Sequence, residues 1–147
     1  MKLVKKGDFL LFDKKIVINL HKIITPFGIE TYYENYQCKL LLNQEKYNTF
    51  LAIEEDIINE LLKIDKQINF QSQLSNKDDS NLLTTKLFIM KQNILTRITD
   101  SDNKIIYKDE IGKYDRVDIT VSLDKLWLKN NIAYGKWKVL SIKKLLL

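Results

Sequence analysis

The spacing of apolar residues changes twice along the chain, from period two to about 3.6 and back to two. Phe9 to Ile24, FLLFDKKIVINLHKII, is rich in Ile, Val, Leu and Phe and alternates loosely, which favours strands over helix. TPFG at Thr25 to Gly28 holds the only proline and one of four glycines, and reads as a turn. In the following IETYYENYQCKLLL, Tyr32, Tyr36, Cys38, Leu40 and Leu42 fall on one face, and Tyr33, Gln37 and Lys39 on the other. Tyr33 and Lys39 are therefore expected to face solvent as a pair.

From Gln44 to about Lys66 the period is helical. Phe50, Ile53, Ile57, Leu61 and Ile64 recur at spacings of three and four, Asn43 is placed as N-cap, and Glu45 lies in the first turn, where a carboxylate suits the helix dipole. The outer face, with Glu54, Glu55, Asp56 and Glu60, is acidic and should point away from any polyanion. NFQSQLSNKDDSN, Asn69 to Asn81, is polar and turn-rich, and is expected to be a flexible loop.

Strand signals then return. LLTTKLFIMKQNILTRIT reads as a strand pair or one long bent strand, DSDN at Asp100 to Asn103 as a hairpin turn, and KIIYK as the returning arm. Val117, Ile119, Val121 and Leu123 alternate with Asp118, Thr120, Ser122 and Asp124, KNN at Lys129 to Asn131 turns the chain, and a last strand runs to about Lys144. A bulge in LDKLW would flip the alternation after Leu123. The order of strands, one helix and strands predicts a mostly β fold with one inserted α-helix: an OB-like, partly open antiparallel barrel, or a two-layer α+β sandwich built from the same elements.

Composition adds bounds to this picture. The 147 residues are 45% hydrophobic and 29% charged, which suits one domain spanning 1–147 with a real core. No run of about 18 apolar residues occurs, and charge breaks the first residues before a signal-peptide core can form, so no membrane partner and an intracellular location are expected. One cysteine and one histidine, Cys38 and His21, supply neither an internal disulfide nor a usual Cys/His metal cluster. Phosphate-loop, dinucleotide, nucleophile-elbow and zinc-protease motifs are missing. No catalytic residue, metal or cofactor is therefore expected, and a nuclease built on the scattered carboxylates finds little support.

Charge is divided unevenly along the chain. The total is +5, yet residues 30–81 carry five basic and ten acidic side chains, whereas residues 104–147 carry ten basic and five acidic. Positive ends around a negative middle suggest a polyanionic partner for the outer segments, against the alternative that lysines only solvate exposed strands. Aromatic residues are interleaved with these cations. If Leu87 and Ile89 face the core, then Lys86, Phe88 and Met90 face outward, and if Ile94 and Ile98 point in, Arg97 points out. An outward Phe needs a cover, either the helix or a loop, or a nucleobase stacked between phosphate-binding cations. Trp127, Lys129, Tyr134, Lys136, Trp137 and Lys138 repeat the theme, with the two tryptophans divided between core and surface by the position of the bulge. The candidate binding residues are Tyr33, Lys39, Lys86, Phe88, Lys91, Arg97, Tyr107, Trp127, Lys129, Tyr134, Lys136 and Lys138. Single strands suit this set better than duplex, because the only helix is acidic.

Two stretches, TPFGIETYYENYQCKLLL with YNTFLAIEEDIINELL, and RVDITVSLDKLWLKNNIAYGKWKVLSIKKL, resemble the single-stranded-DNA-binding proteins of nucleocytoplasmic large DNA viruses. The first resembles their turn, strand and helix, the second their closing β-hairpin. The resemblance implies an OB-fold that coats single-stranded DNA with little sequence preference during viral replication, repair or recombination. It also implies a place in the host cytoplasm or nucleus, with homo-oligomers or replication proteins as partners; the sequence leaves the choice between DNA and RNA open. The competing expectation is a structural or protein-interaction module of a replication or virion assembly, docking through exposed aromatics.

Overall fold

The computed structural model describes residues 1–146. Its strands, in chain order, are β1 (Leu3–Lys6), β2 (Phe9–Thr25), β3 (Ile29–Tyr32), β4 (Asn35–Leu42), β5 (Asn69–Gln71), β6 (Leu74–Lys77), β7 (Ser80–Leu87), β8 (Ile89–Met90), β9 (Asn93–Ile94), β10 (Arg97–Thr99), β11 (Asp115–Lys129), β12 (Ile132–Tyr134) and β13 (Trp137–Lys144); the helix α1 (Gln44–Ile64) lies between β4 and β5.

Five strands form a ring. β2, β4, β7, β13 and β11 are neighbours in that order, and β11 pairs again with β2. The β2–β4 seam rests on one pair, Ile24 with Leu41, and the β7–β13 seam is parallel over three, so closure is partial. The result is a mostly β, OB-like barrel with one helix, rather than a sandwich. β2 and β11 are long because each pairs with the other and with two further strands along its length, and three register shifts along β11 give the bends that closure requires. Alternate residues fill the interior: Cys38, Leu40 and Leu42 from β4, Leu83, Thr85 and Leu87 from β7, and Val117, Ile119 and Val121 from β11. Each fully buried aliphatic side chain contributes on the order of 1.5–3 kcal/mol.

The helix caps as its sequence predicts, the Asn43 side chain accepting from Lys46 N–H at 2.8 Å. Phe50, Ile57 and Leu61 are buried, and the Phe50 ring meets Trp137 edge-on, centroids 5.1 Å apart. Glu54 departs from expectation. It is buried rather than on the outer acidic face, because Ser72 Oγ donates to its carboxylate at 2.6 Å and Gln73 N–H at 3.4 Å.

The segment expected as a loop at 69–81 is built instead into β5, β6 and the start of β7. β5 adds to β12, and β6 pairs with β7 through a two-residue turn at Asp78–Asp79. Both aspartates have positive φ, +53° and +61°, which their short side chains tolerate, so turn chemistry and not disorder accounts for the polar composition. IETYYENYQCKLLL is likewise a hairpin, not one strand. The chain reverses at Tyr33–Glu34, with Tyr33 at φ +55°. TPFG turns as expected: Gly28 has φ +62°, and a Cβ there would lie 2.7 Å from the Ile111 carbonyl oxygen.

Candidate nucleic-acid interface

The bulge in LDKLW decides which tryptophan reaches the surface. Register slips between Leu123 and Lys125, so the buried position passes from Leu123 to Leu126, and Trp127 emerges 38% exposed. Trp137, at 2%, belongs to the core beneath α1.

Trp127 pairs with Phe9 on β2 and with Tyr134 on β12, which sets three aromatics in a row across three strands. The Phe9 and Trp127 centroids lie 4.4 Å apart, and the Lys125 ammonium stands 4.7 Å from the first ring and 5.7 Å from the second. Beside this row runs a concave groove of about 380 Å³, where the structure brings together Lys86, Phe88, Trp127, Lys136 and Lys138. Lys125 also lines it. Phe88 is half-buried, and its exposed face is shielded by Lys138, whose ammonium lies 4.2 Å from the ring centroid. The backbone carrying Phe88 is fixed by the buried Thr96 hydroxyl, which accepts from Phe88 N–H at 2.7 Å and donates to the Val139 carbonyl at 2.6 Å.

Four lysines and one carboxylate, Asp124, line the groove; Asp124 lies 3.5 Å from Lys138. Burial, and then the neighbouring Lys136 ammonium, hold the Lys86 pKa below its ordinary value. Two cations pressed together in this way are relieved when an anion comes between them.

The other candidates lie outside this groove. Tyr33, 85% exposed, projects from the β3–β4 turn into a second concavity of about 550 Å³, which shares Asn35 and Ile89 with the groove. Lys91 is exposed in the β8–β9 turn beside Gln92, which lines that concavity. Arg97 and Tyr107 line a third, of about 560 Å³. Lys129 is exposed where β11 enters the Asn130–Asn131 turn, two residues past Trp127. Lys39 lines none of the three and stands 5.5 Å from the Phe27 ring; the reversal at Tyr33 separates it from the tyrosine it was expected to accompany.

Sequence reasoning missed Phe9, Lys125 and Asp124. Lys125 and Trp127 share parity, so placing the bulge before Lys125 would have exposed the pair; Phe9 is found only through its cross-strand register. Cys38 is a core residue, its thiol pushed up to about 12 by burial and by the nearby Glu30 carboxylate. Among the described residues no cluster of three or more His, Cys, Asp or Glu is placed to hold a metal ion, and no helix is long and apolar enough to cross a membrane.

No protein-family model matches the chain, and no curated protein matches it in sequence. Solved structures do match. The single-stranded DNA-binding protein from bacteriophage Enc34, in a C-terminally truncated form, aligns over 97% of this chain and 94% of its own with a TM-score of 0.55. The chain shares the fold of that phage protein. Sequence identity is 12%, and 11% to the same phage protein in complex with single-stranded DNA, which aligns over 97% of this chain and 93% of its own at the same TM-score. Likeness at this level fixes the fold alone.

Proposed function

We propose that the chain binds single-stranded DNA through the groove, as a non-catalytic protein with little sequence preference. The observation that carries this is the joining of Phe88 and Trp127 with Lys86, Lys125, Lys136 and Lys138 in one concavity. Bases stack on aromatic faces at about 1–3 kcal/mol each whatever their identity, while lysines follow the phosphates. The fold match to a phage protein solved with single-stranded DNA supports the same reading. Lysine-rich, arginine-poor contacts favour backbone tracking over base readout. The resemblance to viral single-strand binders extends the proposal to DNA replication, repair or recombination, in host cytoplasm or nucleus, with RNA a second ligand.

A second reading, an interaction module for replication proteins or copies of itself, draws on Leu51, Ile58 and Leu62. These residues are exposed at helical spacing along one flank of α1. Binding through that flank would be apolar and insensitive to salt, whereas the groove's would be strongly salt-dependent.

Tryptophan emission separates the sites, because Trp127 is half-exposed and Trp137 is buried. Adding an oligo-dT should quench part of the emission, and Trp127→Ala should abolish the quench while Trp137 still emits. Quenching that survives in Trp127→Ala would remove the groove from the mechanism.

A further inference from the structure

We infer that a bound single strand leaves the groove and continues into the cleft between β9–β10 and the Ile105–Asp109 segment, where Tyr107 stacks a base and Arg97 holds a phosphate. This inference rests on the groove being a single-stranded-DNA site. It adds a second, separately testable subsite.

The cleft presents its aromatic on a fixed backbone. Tyr107 N–H donates to Glu110 Oε2 at 2.8 Å, and the Tyr107 carbonyl accepts from Glu110 N–H at 3.0 Å, closing a short 3-10 turn. Upstream, the Asp100 carboxylate accepts from the N–H groups of Asp102 and Lys104, and Ile106 N–H donates to the Ile98 carbonyl. The Tyr107 side chain nevertheless stands 82% exposed, beside Ile105 at 78%. A rigid backbone that holds apolar surface in water is a frequent mark of a contact surface. Arg97 is exposed on the same cleft, and among the described residues it enters no ion pair.

Continuity with the groove names the occupant. The groove shares Asn35 and Ile89 with the second concavity, which Tyr36 also lines. Lys108 spans from the cleft to that ring, its ammonium 4.7 Å from the Tyr36 centroid. Aromatic and cationic groups therefore recur along one path, from Phe88 and Trp127 through Tyr36 and Lys108 to Tyr107 and Arg97. Three carboxylates lie on it, Asp124, Glu34 and Asp109, and Asp124 is paired with Lys138 at 3.5 Å. Asp109 is paired with Lys108 at 2.9 Å, which leaves Arg97 as the unpaired cation of the cleft. A strand with a base face and a phosphate at every step matches this spacing of rings and charges.

The test compares oligo-dT of about 4 and about 16 nucleotides, the span of site sizes for single OB folds. Tyr107→Ala should weaken the longer oligonucleotide about five- to a hundredfold and leave the shorter unchanged. Arg97→Gln should lower the salt slope for the longer one by about 0.7. Trp127→Ala should weaken both. If Tyr107→Ala and Arg97→Gln bind the longer oligonucleotide as the parent does while Trp127→Ala is weakened, the cleft is not on the path and the groove reading stands. If Trp127→Ala also binds both lengths like the parent, the groove reading fails and this inference with it. Both cleft side chains are exposed, and an unchanged circular dichroism spectrum would show that each variant keeps its fold.

Discussion

On the proposed single-strand reading of the groove, Asp124 sets how tightly it holds an anion. It is the one carboxylate lining the groove, and it occupies Lys138, the cation that also covers Phe88. A phosphate must compete with it for that ammonium. Asp124→Asn should therefore raise affinity for oligo-dT several-fold and steepen the salt slope by about 0.7, one further phosphate neutralised. Titrations at three or more salt concentrations check this, and unchanged affinity and slope would mean that no phosphate reaches Lys138. The Lys86–Lys136 pair works in the opposite sense, as two ammonium groups held together at a cost that a bound phosphate offsets.

At the scale of elements, α1 is tied to the barrel by a polar contact as well as an apolar face. Burial raises the Glu54 pKa, against the lowering effect of the Ser72 and Gln73 hydrogen bonds. A carboxyl whose pKa is higher folded than unfolded stabilises the fold below its unfolded value and loses that contribution as pH rises through the folded value. Glu54→Gln keeps an acceptor for Ser72 and carries no charge. It should be more stable than the parent at neutral pH, with the gap narrowing as pH falls toward about 4, near the unperturbed carboxyl value. Thermal melts at the two pH values decide it, and a variant less stable at neutral pH would contradict the assignment.

The same elements mark how far sequence alone could reach. Period and capping located α1 to within two residues, and alternation found the buried faces of β4 and β11 but only Leu87 of β7, while Ile89, expected in the core with it, lines the groove. Hairpin reversals were harder to see, because Tyr33, Asp78, Asp79, Lys91 and Gln92 adopt positive φ without glycine. Five of the candidate binding residues meet in one groove because strand parity is local information. Phe9 and Tyr107 join surfaces through register and a local turn that no periodicity encodes, and Glu54 was placed outside because its partner Ser72 lies 18 residues away.

For the whole molecule, the partial barrel places its basic groove on one set of strands and leaves the outer face of α1, with Glu55 and Asp56 exposed, to carry negative charge. On the proposed reading, the lysine-lined groove draws a polyanion to those strands. It also favours flexible single strands, whose bases can turn onto the rings, over a duplex whose bases are already stacked. The most direct test is fluorescence anisotropy of a labelled oligo-dT of about 30 nucleotides, longer than one OB-fold site, against the matching duplex over a salt series. Micromolar or tighter binding that prefers the single strand and falls steeply with salt is the predicted result. Equal affinity for duplex, or no binding at low salt, would contradict it.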